Sequence, residues 1–426
     1  MSLIDGATRI AVNPDFCVNV SATAVDTFEG LNEKKSKETL YIASEYYSSA
    51  SGKVTVELYK TAIEDLTKVP QPDLLTMFST TAIESGPQVI LLKVIQNTRR
   101  LVVIMKTGDI YTVSLDDART ELDLKCRVEN GVLAASWSPD EFRFALVTGL
   151  NTLVVMTLAF DVQFEALLKD PSPALSTECS PNDDNLPRIS WRKDGSYLVV
   201  STISPSHRQL RVYQRLSRGK VSLPTLITGL EHPLSWGSSS IASTKNVVDE
   251  NGYTQHSVIF FDEKGSTAGN SFDLIEIIVP LSTNGNSPQP NGNDPPDQGI
   301  QQVDRLVKEV KWNADSNVLA VWTTQKTQQT PQQTQNSSSS GNIQFGMFLN
   351  ADLNVLVQGA RLGEQAQEQL RLHNSSGNNH YVQLIGNKKA IRPKEIKTPK
   401  LSAIEWHPKK PILILTTASD VYIYSL

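Results

Sequence analysis

The chain alternates short apolar runs with tight polar turns, and one such unit repeats. In "VKWNADSNVLAVW" (310–322) an apolar run ends in Trp312, an Asn-Ala-Asp-Ser turn follows, and a second apolar run begins at Val318. The same order recurs in "GVLAASWSPDEFRFALVT" at Trp137, "LPRISWRKDGSYLVVST" at Trp191, "EHPLSWGSSSIAST" at Trp236 and "LSAIEWHPKKPILILTT" at Trp406. A further β-patterned run follows in "LRVYQR" (210–215), "HSVIFFDEKG" (256–265) and "DVYIYSL" (420–426). Alternating or β-branched runs bounded by turn formers predict antiparallel strands.

The intervals define a larger period. Trp137 to Trp191 is 54 residues and Trp191 to Trp236 is 45. Trp236 to Trp312 is 76 and holds the polar insertion "STNGNSPQPNGNDPPDQG", whereas Trp312 to Trp406 is 94, which predicts an intervening unit that has lost its Trp. A period of about 40–50 residues with several strands per unit is the pattern of propeller blades, each of which needs its neighbours to bury both faces. Earlier in the chain, 38–60 and 99–116 read as hairpins, the second turning at Thr107-Gly108-Asp109. Units near 36–60, 90–116, 132–160, 187–216, 232–274, 303–350 and 381–426 predict an all-β, WD-type β-propeller of seven blades, a single domain over residues 1–426. "TRIAVNP" (8–14) is the candidate strand to close the ring against "VYIYSL". In this arrangement Trp137, Trp191, Trp236, Trp312 and Trp406 sit between blades as structural residues.

Two stretches break the pattern. Residues 282–299 are rich in Asn, Pro, Gly and Asp, and 325–342 are mostly Gln, Thr, Ser and Asn, so both are expected to be disordered insertions at blade rims. A third, "NKKAIRPKEIKTPK" (387–400), carries Lys388, Lys389, Arg392, Lys394, Lys397 and Lys400. Pro393 and Pro399 argue against a continuous helix there. It reads as a solvated basic loop or as a contact for RNA or an acidic partner.

The net charge of −5 does not advertise a nucleic-acid surface. Three cysteines far apart, Cys17, Cys126 and Cys179, form no disulfide framework, which favours a reducing compartment. No signal-peptide pattern opens the chain and no apolar run is long enough to span a bilayer, so a cytoplasmic location is expected, with the nucleus also open, and no membrane contact.

Catalytic motifs are missing from the sequence. There is no phosphate-binding loop, His-Glu-x-x-His, Cys-x-x-Cys or Gly-x-Ser-x-Gly. Asp140, Asp194 and Asp315 each follow a repeated Trp at offset three, a placement that suits backbone hydrogen bonding in the turn. His407 reads as a turn residue, and His232 with His256 does not make a metal pair. No catalytic, cofactor or metal residues are expected.

The blocks from about 187 to 426 resemble the amino-terminal WD-repeat region of the largest Elongator subunit, the IKI/IKAP family. "ISWRKDGSYLVVST", "GLEHPLSW", "HSVIFFDEKG", "VKWNADSNVLAVW" and "WHPKKPILILTTASDVYIYSL" carry the resemblance in the family's order. The first 186 residues fit mainly through "LYIASE" and "SWSPDEFRFALVT". The turn after Trp236 is shortened to "GSSS", which predicts an irregular blade edge. The resemblance implies a non-catalytic scaffold for wobble-uridine modification of transfer RNA. Its implied partners are the acetyltransferase-like/radical-SAM subunit and a second WD-repeat subunit, with transfer RNA touched indirectly or weakly. At this length the chain would hold only the first propeller of the family. A WD-repeat module of an unrelated intracellular complex and a propeller enzyme remain the alternatives.

Overall fold

The computed structural model describes residues 7–12, 19–27, 38–48, 51–63, 71–81, 87–116, 120–168, 183–203, 208–215, 225–228, 230–248, 254–267, 272–273, 276–278, 301–303, 305–316, 318–325, 341–347, 395–397 and 401–425. Every regular element among them is a β-strand.

Strand β1 is Ala7–Ala11. Blade 1 contains β2–β5 (Asn19–Asp26, Thr39–Ser48, Lys53–Ala62, Asp73–Thr81), and blade 2 contains β6–β9 (Val89–Ile95, Arg100–Met105, Asp109–Ser114, Leu122–Arg127). Blade 3 is β10–β13 (Val132–Trp137, Arg143–Thr148, Thr152–Thr157, Val162–Leu167), and blade 4 is β14–β17 (Arg188–Trp191, Tyr197–Ile203, Arg208–Gln214, Thr225–Thr228). Blade 5 is β18–β21 (Leu234–Trp236, Ile241–Val248, Thr254–Phe261, Phe272–Asp273). A two-stranded pair follows, β22 (Glu276–Ile278) with β23 (Gln301–Val303). Blade 6 is β24–β27 (Arg305–Trp312, Val318–Gln325, Gly341–Met347, Glu395–Lys397). Blade 7 joins β28–β30 (Leu401–Trp406, Ile412–Thr417, Asp420–Ser425) to β1, in the order β1-β30-β29-β28.

The first strand of each blade from β2 onward touches the first strand of the next, and β28 returns to β2, so the seven four-stranded sheets close a ring. The amino-terminal strand completes the last blade as its sequence suggests: Ala7 pairs with Tyr424 and Ala11 with Asp420. Arg9 adds contacts to the Asp420 carboxylate at 2.7 and 2.8 Å. The seam therefore joins residues from the two ends of the chain through both backbone and side chains.

The core lies between blades. Seven apolar clusters each span one boundary; Ile95, Val102 and Ile104 of blade 2 meet Trp137, Phe144 and Leu146 of blade 3, for example. At the seam, Ile412, Ile414 and Ile423 of blade 7 meet Leu40, Ile42 and Tyr59 of blade 1. Fully burying one such Val, Leu, Ile or Phe contributes roughly 1.5–3 kcal/mol, and each blade obtains that only from its neighbours.

The structure corrects three expectations. No blade stands in the ring between those of Trp312 and Trp406, because inner strand β24 touches β28 and β26 pairs with β27; residues 348–394 lie outside the described residues. Of the expected insertion 325–342, Gln325 ends β25, and Gly341 and Asn342 open β26; residues 282–299 and 326–340 lie outside the described residues. Lys397 is the last residue of β27, paired with Asn342, and so belongs to a strand rather than a loop.

Candidate functional site

The repeated Trp is the last residue of the innermost strand in blades 3 to 7. Trp137, Trp191, Trp236 and Trp312 are buried and Trp406 is partly buried, each packed against apolar residues of the preceding blade. Trp312 lies over Phe260 of blade 5 with ring centroids 5.9 Å apart, and Trp137 stacks on Phe144 at 4.4 Å. These positions make the five tryptophans interface residues.

A polar relay accompanies the packing. The Trp191 indole N–H donates to the Ser136 carbonyl at 3.1 Å, and that of Trp406 donates to the Lys311 carbonyl at 2.8 Å. The backbone N–H of Trp236 donates to Ser190 Oγ at 2.8 Å, and that of Trp312 donates to Ser235 Oγ at 3.0 Å. In all four bonds the acceptor belongs to the residue just before the preceding blade's Trp. The Ser-Trp dipeptide at 136–137, 190–191 and 235–236 was visible in the sequence, but its bridging role needed the neighbouring blade.

The Asp residues of the turns divide. Asp140 Oδ1 accepts from Ser138 Oγ at 2.6 Å and the Phe142 N–H at 3.2 Å, while its Oδ2 pairs with Arg215. Asp194 Oδ1 accepts from the Ser196 N–H at 2.9 Å; Arg192 holds its carboxyl well below the ordinary range, with Ser196 assisting. Asp315 instead lies 3.7 Å from Lys193, two blades away. His407 is a buried turn cap: its Nδ1 accepts the N–H groups of Lys409 at 3.1 Å and Lys410 at 3.0 Å. Burial pushes its pKa down, against the opposing pull of Glu38.

One charged network was not legible in the sequence. Arg208 grips Asp183 through two bonds of 2.7 and 2.5 Å, with both side chains almost fully buried. Arg188 bonds Asp184 at 2.5 Å and lies 3.7 Å from Glu309 of blade 6. Burial raises Asp183 and Asp184, but the arginines outweigh it and both fall below the usual carboxylate range. Burial pushes Glu309 up, while Glu405 leads the effects that raise Lys311. Buried His232 completes the group, with its pKa pushed down to about 4 by desolvation against the pull of Asp184. Donor atoms of Asp183, Asp184 and His232 lie within 4.8 Å of one another, a spacing that a metal ion could use. Both carboxylates are already spent on arginines, so the chemistry of the trio is that of an ion-pair network. Asp183 and Asp184, which neighbour His232, come from the approach to β14.

The basic residues Lys388, Lys389, Arg392, Lys394 and Lys400 lie outside the described residues, and Lys397 is described only as part of β27.

The chain matches the family model described as the ELP1 first N-terminal beta-propeller over residues 19–180 and 168–332. It is 27% identical over 250 residues to Elongator complex protein 1 of Oryctolagus cuniculus, covering 51% of this chain and 16% of that protein. Against the Saccharomyces cerevisiae protein of the same name it is 27% identical over 292 residues, covering 52% and 20%. A putative elongator complex protein 1 of Xenopus laevis is 34% identical over 146 residues, covering 33% and 10%. The alignments thus span a fifth or less of each relative's length.

Proposed function

Because the chain belongs to the family of the ELP1 first N-terminal beta-propeller, we propose that it is a non-catalytic scaffold module of the Elongator complex. In this reading it supports wobble-uridine modification of transfer RNA through protein–protein contacts. Its partners are the other Elongator subunits, among them the acetyltransferase-like/radical-SAM subunit and a second WD-repeat subunit. It works in the cytoplasm, with the nucleus as a second location.

The observation that carries the reading is the family match from blade 1 through the first two strands of blade 6. The use of the repeated Trp as ring mortar fits it, since a rigid ring offers two faces and an outer wall to partners. Chemistry then belongs to other subunits. The six basic residues of 387–400 are solvated surface in one reading and a contact for transfer RNA or an acidic partner in the other: unchanged complex–RNA affinity on neutralising them supports the former, and a loss at low salt that shrinks at high salt supports the latter.

Affinity purification of the tagged chain from its own cells tests the main reading. Co-recovery of the acetyltransferase-like/radical-SAM subunit supports it. Recovery of an unrelated set of proteins overturns it in favour of a general WD-repeat module.

A further inference from the structure

Blade 5 is bypassed near the ring axis. Its inner strand, β18, has three residues, and among the described residues its outer strand, β21, pairs with β20 through Ser257↔Asp273 and Val258↔Phe272. On one side of β18, Arg188 of blade 4 comes within 3.7 Å of Glu309 of blade 6. On the other side, Lys193 of blade 4 comes within 3.7 Å of Asp315 of blade 6, while its N–H reaches the Gly237 carbonyl at 3.4 Å. Gly237 permits this approach: a Cβ there would stand 3.2 Å from Trp312 Cδ1 and from Ser316 Cβ. Arg188 and Glu309 are each 18% exposed, whereas Lys193 and Asp315 are 50% and 70% exposed, so the first pair carries most of the direct coupling.

The boundary of blade 5 with blade 4 is also poorly satisfied. Among the described residues Trp236 Nε1 has no hydrogen-bond partner, unlike the indoles of Trp191 and Trp406. Buried Gln209 Oε1 and His232 Nε2 likewise have no partner among the described residues. Unsatisfied buried groups and short strands lower the free energy of local opening.

We infer that blade 5 is the ring's locally opening unit, and that blades 4 and 6 hold each other directly while it opens. One blade then yields without the ring coming apart.

Hydrogen exchange of the full chain, read by mass spectrometry, tests it. Amides of β19 and β20 should exchange at least about tenfold faster than those of β15, β16 and β25, as expected for a separate opening unit. Glu309→Gln should extend the fast exchange to β14 and β24. Equal protection of blade 5 and its neighbours would overturn the opening unit. Fast exchange that stays confined to blade 5 in Glu309→Gln would overturn the direct coupling.

Discussion

The indole N–H of Trp406 in blade 7 donates to the carbonyl of Lys311 in blade 6 at 2.8 Å. This bond joins the last inner strand to the one before it, beside the cluster formed by Ala320, Ile404, Leu413 and Tyr424. Trp406→Phe keeps an aromatic ring and loses the donor, so it should cost about 1 kcal/mol. Trp406→Ala also opens a cavity and should cost more, though less than the roughly 3–5 kcal/mol of a fully buried Trp, because Trp406 is only partly buried. Urea unfolding of the two variants should rank them in that order. Equal, unchanged midpoints would remove Trp406 from the list of interface residues.

Glu45 ties blade 1 to blade 2. Its buried carboxylate accepts the Gln88 N–H at 2.8 and 3.0 Å and the Val89 N–H at 2.7 Å. Glu45→Ala leaves these donors without their acceptor and should destabilise by about 1–3 kcal/mol per unsatisfied group. Glu45→Gln retains one carbonyl oxygen and should recover part of the loss. Chemical unfolding would show Glu45→Ala and Glu45→Gln indistinguishable if the carboxylate were not the cap.

Gly108 and Gly237 are constrained for different reasons. Gly108 has φ +94, and a Cβ there would lie 2.1 Å from the Val128 carbonyl oxygen, which is backbone and cannot swing away. Gly237 is limited by contact alone, through Trp312 Cδ1 at 3.2 Å. Gly108→Ala should therefore destabilise more than Gly237→Ala, which should cost about 1–3 kcal/mol as an overpacking change. Thermal melts that placed Gly237→Ala below Gly108→Ala would contradict this order.

The buried histidines set a pH dependence. His232 has a folded pKa of about 4, below its ordinary value of 6.5, and His407 is lowered too. Between these values the unfolded chain takes up the proton that the folded chain refuses. The contribution is fully present above 6.5 and is lost as pH falls toward 4. The urea midpoint should drop between pH 7.5 and pH 5, and His232→Gln should reduce that drop. A variant with the same pH slope as the parent would exclude His232 as its source.

Removing residues 1–11 deletes β1 and its pairing with β30, together with the Arg9–Asp420 contact. Blade 7 would present an open edge, and the seam cluster of Ile10, Ile412, Ile414 and Ile423 would lose Ile10. The whole ring should melt at a lower temperature in one transition. Unchanged thermal unfolding would contradict closure by the amino-terminal strand.

The sequence by itself determined the parts that are local. A blade's strands follow one another and are joined by short turns, so their period-two patterns and the Trp-turn-strand order survive as readable text. The seam strand could be found because it is a strand pattern with no neighbour of its own. Tertiary structure alone decided what happens between blades. Nothing about Asp183 says that Arg208 will grip it, and no periodicity links Arg188 to Glu309 or Glu45 to Gln88. Those pairs are set by how sheets stack around an axis. The same limit hid β27, whose three residues attach to β26 through backbone bonds that leave little mark on side-chain pattern. A register shift recurs in inner strands, at Val20/Ala22, Val89/Leu91, Val132/Ala134, Val307/Glu309 and Leu401/Ala403. It too is a backbone adjustment: one extra residue bends the inner edge, and its sequence reads as ordinary strand.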